Sequence, residues 1–298
     1  MKGERNMRSF SQYNPVAVAV YFLAVAGIAM FCMNPVLLFI SLSGAVLLCA
    51  SLSGMRGAKH HLMSICLFLA LALINPLVSH NGVTVLFVIN DSPITAEAVL
   101  YGAATAAMVV AVLYWFRSFT AIMTSDKLLY LFGKLSPKLA LILSMGLRYV
   151  PLFGRQTARI GQTQRALGLY KDDNIIDRAR GGLRIFSVMV TWALENGIVT
   201  ADSMAARGYG TGKRTHFSIF RFRRADIVFL TVTVALSAIV CVSIAVGSLD
   251  FTFYPSVRMA DIDIMTIAGY ASYTVLVLLP TIIEAEEKIK WKYLISKI

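Results

Sequence analysis

Six apolar stretches, at about 16–33, 35–53, 62–79, 96–116, 225–247 and 264–283, constrain this chain more than any other feature. Crossing ~30 Å of hydrocarbon as a helix takes about 20 mostly apolar residues, and each stretch approaches that length. The composition agrees: 57% of the 298 residues are hydrophobic and only 15% are charged, with a mean hydropathy of +0.70, which excludes an ordinary soluble domain. The reading is an all-α polytopic membrane protein of about six spans. The first two spans follow one another so closely around Asn34-Pro35 that they form a helical hairpin. Lys2, Arg5 and Arg8 precede the first span as in a signal peptide, yet no small-residue cleavage site leads into a soluble mature domain, so it reads as an uncleaved span.

A net charge of +12 raises nucleic acid as a partner, but the distribution of the charge argues for topology instead. With the N-terminus in the cytoplasm, Arg56 and Lys59, the segment 117–224, and the tail with Lys288, Lys290, Lys292 and Lys297 all lie inside. Every Lys and Arg except Arg258 then falls on the cytoplasmic side. The outer loops, about 80–95 and 248–263, hold Arg258 beside Asp91, Asp250, Asp261 and Asp263. Both ends are expected inside, with membrane lipid and not nucleic acid as the surrounding partner.

Two further apolar stretches, about 139–153 and 182–201, test that assignment. The first is short, carries Arg148 and meets Pro151; the second includes Arg184 and Glu195. If both crossed, Arg155, Arg159, Arg165, Lys171, Arg178 and Arg180 would lie outside, against the charge rule. Both therefore stay cytoplasmic. Arg184, Ser187, Thr191 and Glu195 recur at helical spacing, a narrow polar stripe on an otherwise apolar helix, whose remaining surface must be covered by headgroups, a neighbour or a partner. The division is 1–116 as four spans, 117–224 as a cytoplasmic helical arm, and 225–298 as two spans with a tail. Arg148 and Arg184 read as headgroup anchors, the alternative being a structural role between the arm helices. Tyr114, Trp115 and Trp291, near span ends, read as interfacial belt residues.

Catalytic and metal chemistry finds little support. Cys32, Cys49, Cys66 and Cys241 show no paired short spacing and read as small core hydrophobes. His60, His61, His80 and His216 are dispersed. Gly208-Tyr209-Gly210-Thr211-Gly212-Lys213 resembles a phosphate loop, but Arg207 stands where a glycine is needed and Arg214 where Ser or Thr would hold magnesium. Its glycines read better as a helix end. Asp172, Asp173 and Asp177 form an acidic cluster of the kind that holds magnesium against a diphosphate in membrane prenyl or phospho-alcohol transferases. No second cluster accompanies it, and an acidic turn with Asp177 near a helix start is the simpler reading.

The strongest motif is Asp202-Ser203-Met204-Ala205-Ala206-Arg207-Gly208-Tyr209-Gly210. Small residues flank one long cation, so a partner's surface can approach the backbone while Arg207 reaches out with its planar fork of donors. Ser203, Met204, Ala205, Ala206, Arg207 and Gly208 resemble the second signature of the transmembrane T component of energy-coupling-factor (ECF) transporters, importers of vitamins and trace metal ions. Pro137, followed by Leu147-Arg148-Tyr149-Val150-Pro151, is similar to that family's arm-helix element. Gln164-Arg165-Ala166-Leu167-Gly168 stands where the first signature is expected, with Leu167 in place of its arginine. Either Arg165 takes the cationic role from a different helical face, or the contact is made by an apolar knob.

The resemblance implies a non-catalytic subunit of a bacterial-type cell membrane. It implies two short coupling helices, here Arg165, Ala166, Leu167 and Gly168 in one and 203–208 in the other, inserted into two ABC-type ATPases, identical or not. Those subunits would carry ATP and Mg, a separate membrane S component would carry the substrate, and this chain would bind no cofactor. Asp202 is then expected to cap the second short helix. The bundle shows no buried chain of charges marking an ion pathway of its own.

Overall fold

The Asn34-Pro35 turn joins two helices as expected, α1 (Pro15–Phe31) and α2 (Pro35–Ser53). Asn34 accepts from Val36 N at 2.9 Å and donates through Nδ2 to Leu249 O at 3.0 Å and Tyr270 Oη at 2.7 Å. The computed structural model describes residues 10–53, 58–78, 82–89, 92–169, 175–212, 220–261 and 263–296. The remaining helices are α3 (Ala58–Val78), α4 (Ala96–Ile122), α5 (Ser125–Leu135), α6 (Pro137–Ala166), α7 (Ile175–Ala206), α8 (Arg224–Ala245) and α9 (Ile264–Ile295). Five of them, α2, α3, α4, α8 and α9, are long and apolar enough to cross a membrane. The sixth expected span, α1, is a shorter apolar helix of 17 residues. The chain is thus an all-α, multi-pass membrane protein.

Two compact units partition the chain, Met1–Leu128 with Phe220–Ile298, and Leu129–Ile219. In the first, α2 packs on α4 and α9, α1 on α8 and α4, α3 on α4, and α8 on α9. Ala17, Val18, Tyr21, Val25, Leu38, Leu48, Trp115, Leu276 and Val277 form its buried centre. Glycine sets the helix spacing at two crossings. A Cβ at Gly44 would lie 1.9 Å from Val277 Cγ1, and one at Gly102 would lie 2.8 Å from Ala72 O.

Several expectations need correction. Tyr114 and Trp115 are not belt residues: both are buried, and the indole donates to Ser41 Oγ at 3.0 Å while the phenol meets His61 Nδ1 at 2.7 Å. A polar tip that finds a partner inside lets an aromatic ring leave the interface for the core. Trp291 is exposed. Cys32 and Cys49 are buried, but Cys66 and Cys241 lie on exposed helix faces. Buried charges do occur: Glu97, Lys127, Asp226 and Glu284 are all under 9% exposed. Glu97, Lys127 and Asp226 sit in the first turns of α4, α5 and α8, and Glu284 lies within α9; all four bond to backbone groups, Glu97 for example accepting from Thr84 N and Thr84 Oγ1.

The expected outer loops contain two short antiparallel ladders, β1 (Val85–Ile89) with β2 (Ser92–Thr95), and β3 (Phe251–Thr252) with β4 (Arg258–Met259). Helices α4 and α9 also overrun their apolar windows, reaching Ile122 and Ile295.

Candidate functional site

The second unit is built on α6 and α7, which pair antiparallel. Helix α6 starts at Pro137, whose fixed φ suits a first helical position, and runs without a break through Pro151. On α6 the less exposed positions Met145, Tyr149, Phe153, Gln156, Ile160 and Gln164 recur at intervals of three and four residues. Gly181, Ile185, Met189, Trp192, Asn196 and Thr200 do the same on α7. Tyr149 Oη and Thr200 Oγ1 are 3.1 Å apart, the Phe153 and Trp192 rings meet edge-on at 5.9 Å, and Gly161 lies against Ile185. One stripe on each helix is covered by the other, as the 3.6-residue period dictates. The polar stripe Arg184, Ser187, Thr191 and Glu195 is exposed.

Both candidate signatures are helix ends, and they close in the same way. At the end of α6, Gly168 N donates to Arg165 O at 3.0 Å and Leu169 N to Gln164 O at 2.9 Å, with Gly168 at φ +68°. At the end of α7, Gly208 N donates to Ala205 O at 2.9 Å and Tyr209 N to Met204 O at 3.0 Å, with Gly208 at φ +79°. This paired closure is the Schellman motif, in which glycine supplies the left-handed residue. Residue by residue, the two ends superpose Gln164 on Met204, Arg165 on Ala205, Ala166 on Ala206, Leu167 on Arg207 and Gly168 on Gly208. Helix α8 ends likewise at Gly247, so the backbone closure alone carries no special chemistry. What differs among the ends is the side chain presented just before the glycine, which on α8 is the exposed Val246.

That side chain is Arg207 on α7 and Leu167 on α6, and both are exposed, Leu167 at 67%. Arg207 N donates to Ser203 O at 3.2 Å, while its side chain has no hydrogen bond or ion pair among the described residues. Arg165 lies two residues before Leu167, about 200° around the helix, and does not occupy the place equivalent to Arg207. Projecting the Tyr149–Thr200 and Gly161–Ile185 pairings along the helices puts Leu167 and Arg207 at opposite ends of the hairpin, on the order of 35 Å apart.

The short separate helices expected at 165–168 and 203–208 are not formed; these residues belong to the final turns and closures of α6 and α7. Asp202 does not cap a new helix, because α7 is unbroken from Ile175 to Ala206 and Asp202 is one of its interior residues. Ser203 Oγ bonds back to Val199 O at 2.7 Å, which an interior serine does in a continuous helix. The turn expected from the glycines is present, with Gly210 also at φ +94° and Thr211 Oγ1 donating to Gly208 O at 2.7 Å.

Arg184 is exposed and bonds within the arm. Its Nη1 donates to Leu169 O at 3.3 Å, linking the first turns of α7 to the residue that closes the α6 end. Leu169 gave no sequence signal, since its part is played by backbone atoms. Arg148 is exposed on α6 one residue before Tyr149. Pro137, Arg148 and Pro151 therefore share the helix that carries Leu167 but do not gather around either end. Asp177 lies in the first turn of α7, 4.0 Å from exposed Arg180, a pair of little energetic weight. Asp172, Asp173, His80, His216, Lys213 and Arg214 lie outside the described residues. Among the described residues no group of three or more His, Cys, Asp or Glu is placed to hold a metal ion.

Residues 7–217, more than two thirds of the chain, match the family described as CbiQ, cobalt transport protein. The chain belongs to that family. Its similarity to curated relatives is concentrated in shorter stretches. It is 30% identical over 102 residues to the energy-coupling factor transporter transmembrane protein EcfT 1 of Listeria monocytogenes, covering 34% of this chain and 38% of that protein. The corresponding EcfT of Lactobacillus helveticus is 30% identical over 101 residues, 33% of this chain and 36% of that protein. That of Listeria innocua is 33% identical over 104 residues, 34% of this chain and 39% of that protein. The matched stretches thus span well under half the length of these relatives. The chain is an EcfT/CbiQ-like T component, a multi-pass and non-catalytic membrane protein. The transferase reading built on the aspartates is not favoured by this family assignment.

Proposed function

We propose that this chain is the coupling and scaffold subunit of an ATP-driven importer of the energy-coupling-factor type. The observation that carries the reading is the pair of equivalently closed helix ends, one at each end of the α6–α7 hairpin, presenting Leu167 and Arg207. Two ends call for two partners. Each final turn enters a groove on an ABC-type ATPase, with Arg207 held by carboxylates or carbonyls and Ala205, Ala206 and Gly208 allowing close approach. The ATPases carry ATP and Mg, and their closing and opening move the hairpin. A separate S component in the membrane binds the substrate, a vitamin or a trace metal ion. The charge distribution supports a bacterial-type cell membrane location with 117–224 and both chain ends in the cytoplasm, and with lipid headgroups, not nucleic acid, meeting Arg148 and the surrounding arginines.

Because the two ends carry different side chains, the two grooves differ, and Leu167 enters an apolar one. Leu167→Asp is expected to lower recovery of one ATPase about tenfold, the effect of roughly 1.4 kcal/mol at an interface. Leu167→Arg keeps full recovery, because the aliphatic stem fills the same socket while the guanidinium reaches its rim. Loss of the complex in Leu167→Arg would contradict this account of the α6 end.

The experiment that tests the whole reading is affinity purification of the tagged chain from its native membrane in mild detergent, with co-purifying subunits identified by mass spectrometry. Recovery of ABC-type ATPases together with a small apolar membrane subunit is the expected result. Their absence, from membranes in which other complexes survive the same detergent, overturns it.

A further inference from the structure

The five residues Phe10 to Asn14 are tied to several helices of the first unit at once. Phe10 N donates to Glu284 Oε2 of α9 at 3.3 Å. The Phe10 ring is fully buried against Tyr13, Tyr21, Phe22 and Phe229, with centroids 5.5–6.4 Å away. Ser11 O accepts from Lys127 Nζ in the first turn of α5, and the same ammonium donates to Ile122 O at the end of α4 at 2.8 Å. Asn14 N donates to Asp226 Oδ1 at 3.1 Å, while Asp226 Oδ2 accepts from Arg223 N at 2.9 Å and closes the start of α8.

Two of these anchorages are the places where the chain leaves and re-enters the bundle. It departs after Leu128, one residue beyond Lys127, and returns at Phe220, six residues before Asp226. Ser11 and Asn14 are three residues apart, so the points holding the two stems lie within about 11 Å of one another whatever the backbone does between them. Lys127, Asp226 and Glu284 are each more than nine-tenths buried. A charge turned onto a backbone group in such surroundings makes a strong, directional bond. Burial pulls the Lys127 ammonium below its ordinary pKa, as desolvation does to a cation. None of this is needed to form a bundle of apolar helices.

We propose that Phe10–Asn14 is a latch that fixes the spacing of the two stems from which residues 129–219 extend, with Phe10, Lys127 and Asp226 as positioning residues for coupling. Its role in transport rests on the coupling reading; its effect on stem spacing does not.

Spin labels at Ser125 and Arg221, both exposed, introduced as cysteines after replacement of the native ones, measure that spacing in the chain purified into nanodiscs with its co-purifying subunits. Wild type and Lys127→Arg are expected to give one narrow distance distribution. Lys127→Met and Phe10→Ala are expected to widen it at least twofold. The same two variants lower substrate taken up per ATP hydrolysed at least fivefold while ATPase recovery stays at the wild-type level, and Lys127→Arg restores the ratio. An unchanged distribution in Lys127→Met overturns the latch, and that variant alone decides if Phe10→Ala fails to insert. A widened distribution with wild-type uptake per ATP overturns its role in coupling. If no ATPase accompanies even the wild type, the coupling reading has failed, and the label distances still decide the latch.

Discussion

Arg207→Glu is expected to abolish recovery of the ATPase that meets the α7 end, and with it uptake, while the protein still inserts and runs as a single species in detergent. The substitution leaves the fold alone because the helix end is closed by backbone atoms, Gly208 N to Ala205 O and Tyr209 N to Met204 O, and because the Arg207 side chain is exposed. The local penalty is the loss of a cation from the negative end of the α7 dipole, about 0.3–1 kcal/mol. At the interface the change is far larger. Reversing a charge that a partner's groove has desolvated costs about 2–5 kcal/mol or more, which is roughly thirtyfold to several thousandfold in affinity. Co-purification and uptake at wild-type levels in Arg207→Glu would remove the central claim.

Gly102→Val has the second large effect, for a reason internal to the bundle. Pro76 has no N–H, so the carbonyl four residues earlier, Ala72 O, loses its helical donor. In a membrane such a freed carbonyl has to be accommodated by a neighbouring helix. Gly102 of α4 is that neighbour: a Cβ there would lie 2.8 Å from Ala72 O, 3.0 Å from Asn75 Cβ and 3.2 Å from Pro76 Cδ. Neither a backbone carbonyl nor a proline ring can rotate aside. Overpacking of this kind costs about 1–3 kcal/mol, and α3 has little other packing with which to resist displacement, α4 being its main neighbour. The expected outcome is a fall in melting temperature on the order of 5 °C in detergent. A melting temperature within a degree of wild type would show that α3 and α4 are held apart by something else.

The membrane spans were legible because they depend on local composition, and the hairpin at Asn34-Pro35 because two apolar runs leave no room for anything else. The helix ends at Gly168 and Gly208 were legible because a left-handed residue favours glycine. The placement of Tyr114 and Trp115 was not, since belt and core sites use the same residue and differ only in whether a hydroxyl or imidazole waits inside. Nor was the Phe10–Asn14 cluster. Its bonds join residues 212 and 274 positions apart, and several use backbone atoms, which carry no sequence signature. Asp202 misled for a related reason: an aspartate ahead of small residues looks like a cap wherever the helix before it is assumed to stop.

Because α7 runs unbroken to Ala206 and α6 to Ala166, the hairpin is a bar with a handle at each tip. Tilting such a bar by about 10° about its middle displaces tips roughly 35 Å apart by about 3 Å each, in opposite senses. A motion imposed at Arg207 is then felt at Leu167 with no wire of intermediate contacts between them. By linkage, whatever free energy one partner gains from the tilt biases its counterpart's equilibrium equally. On the proposed coupling role, a balance beam of this kind would give two unlike subunits a common clock.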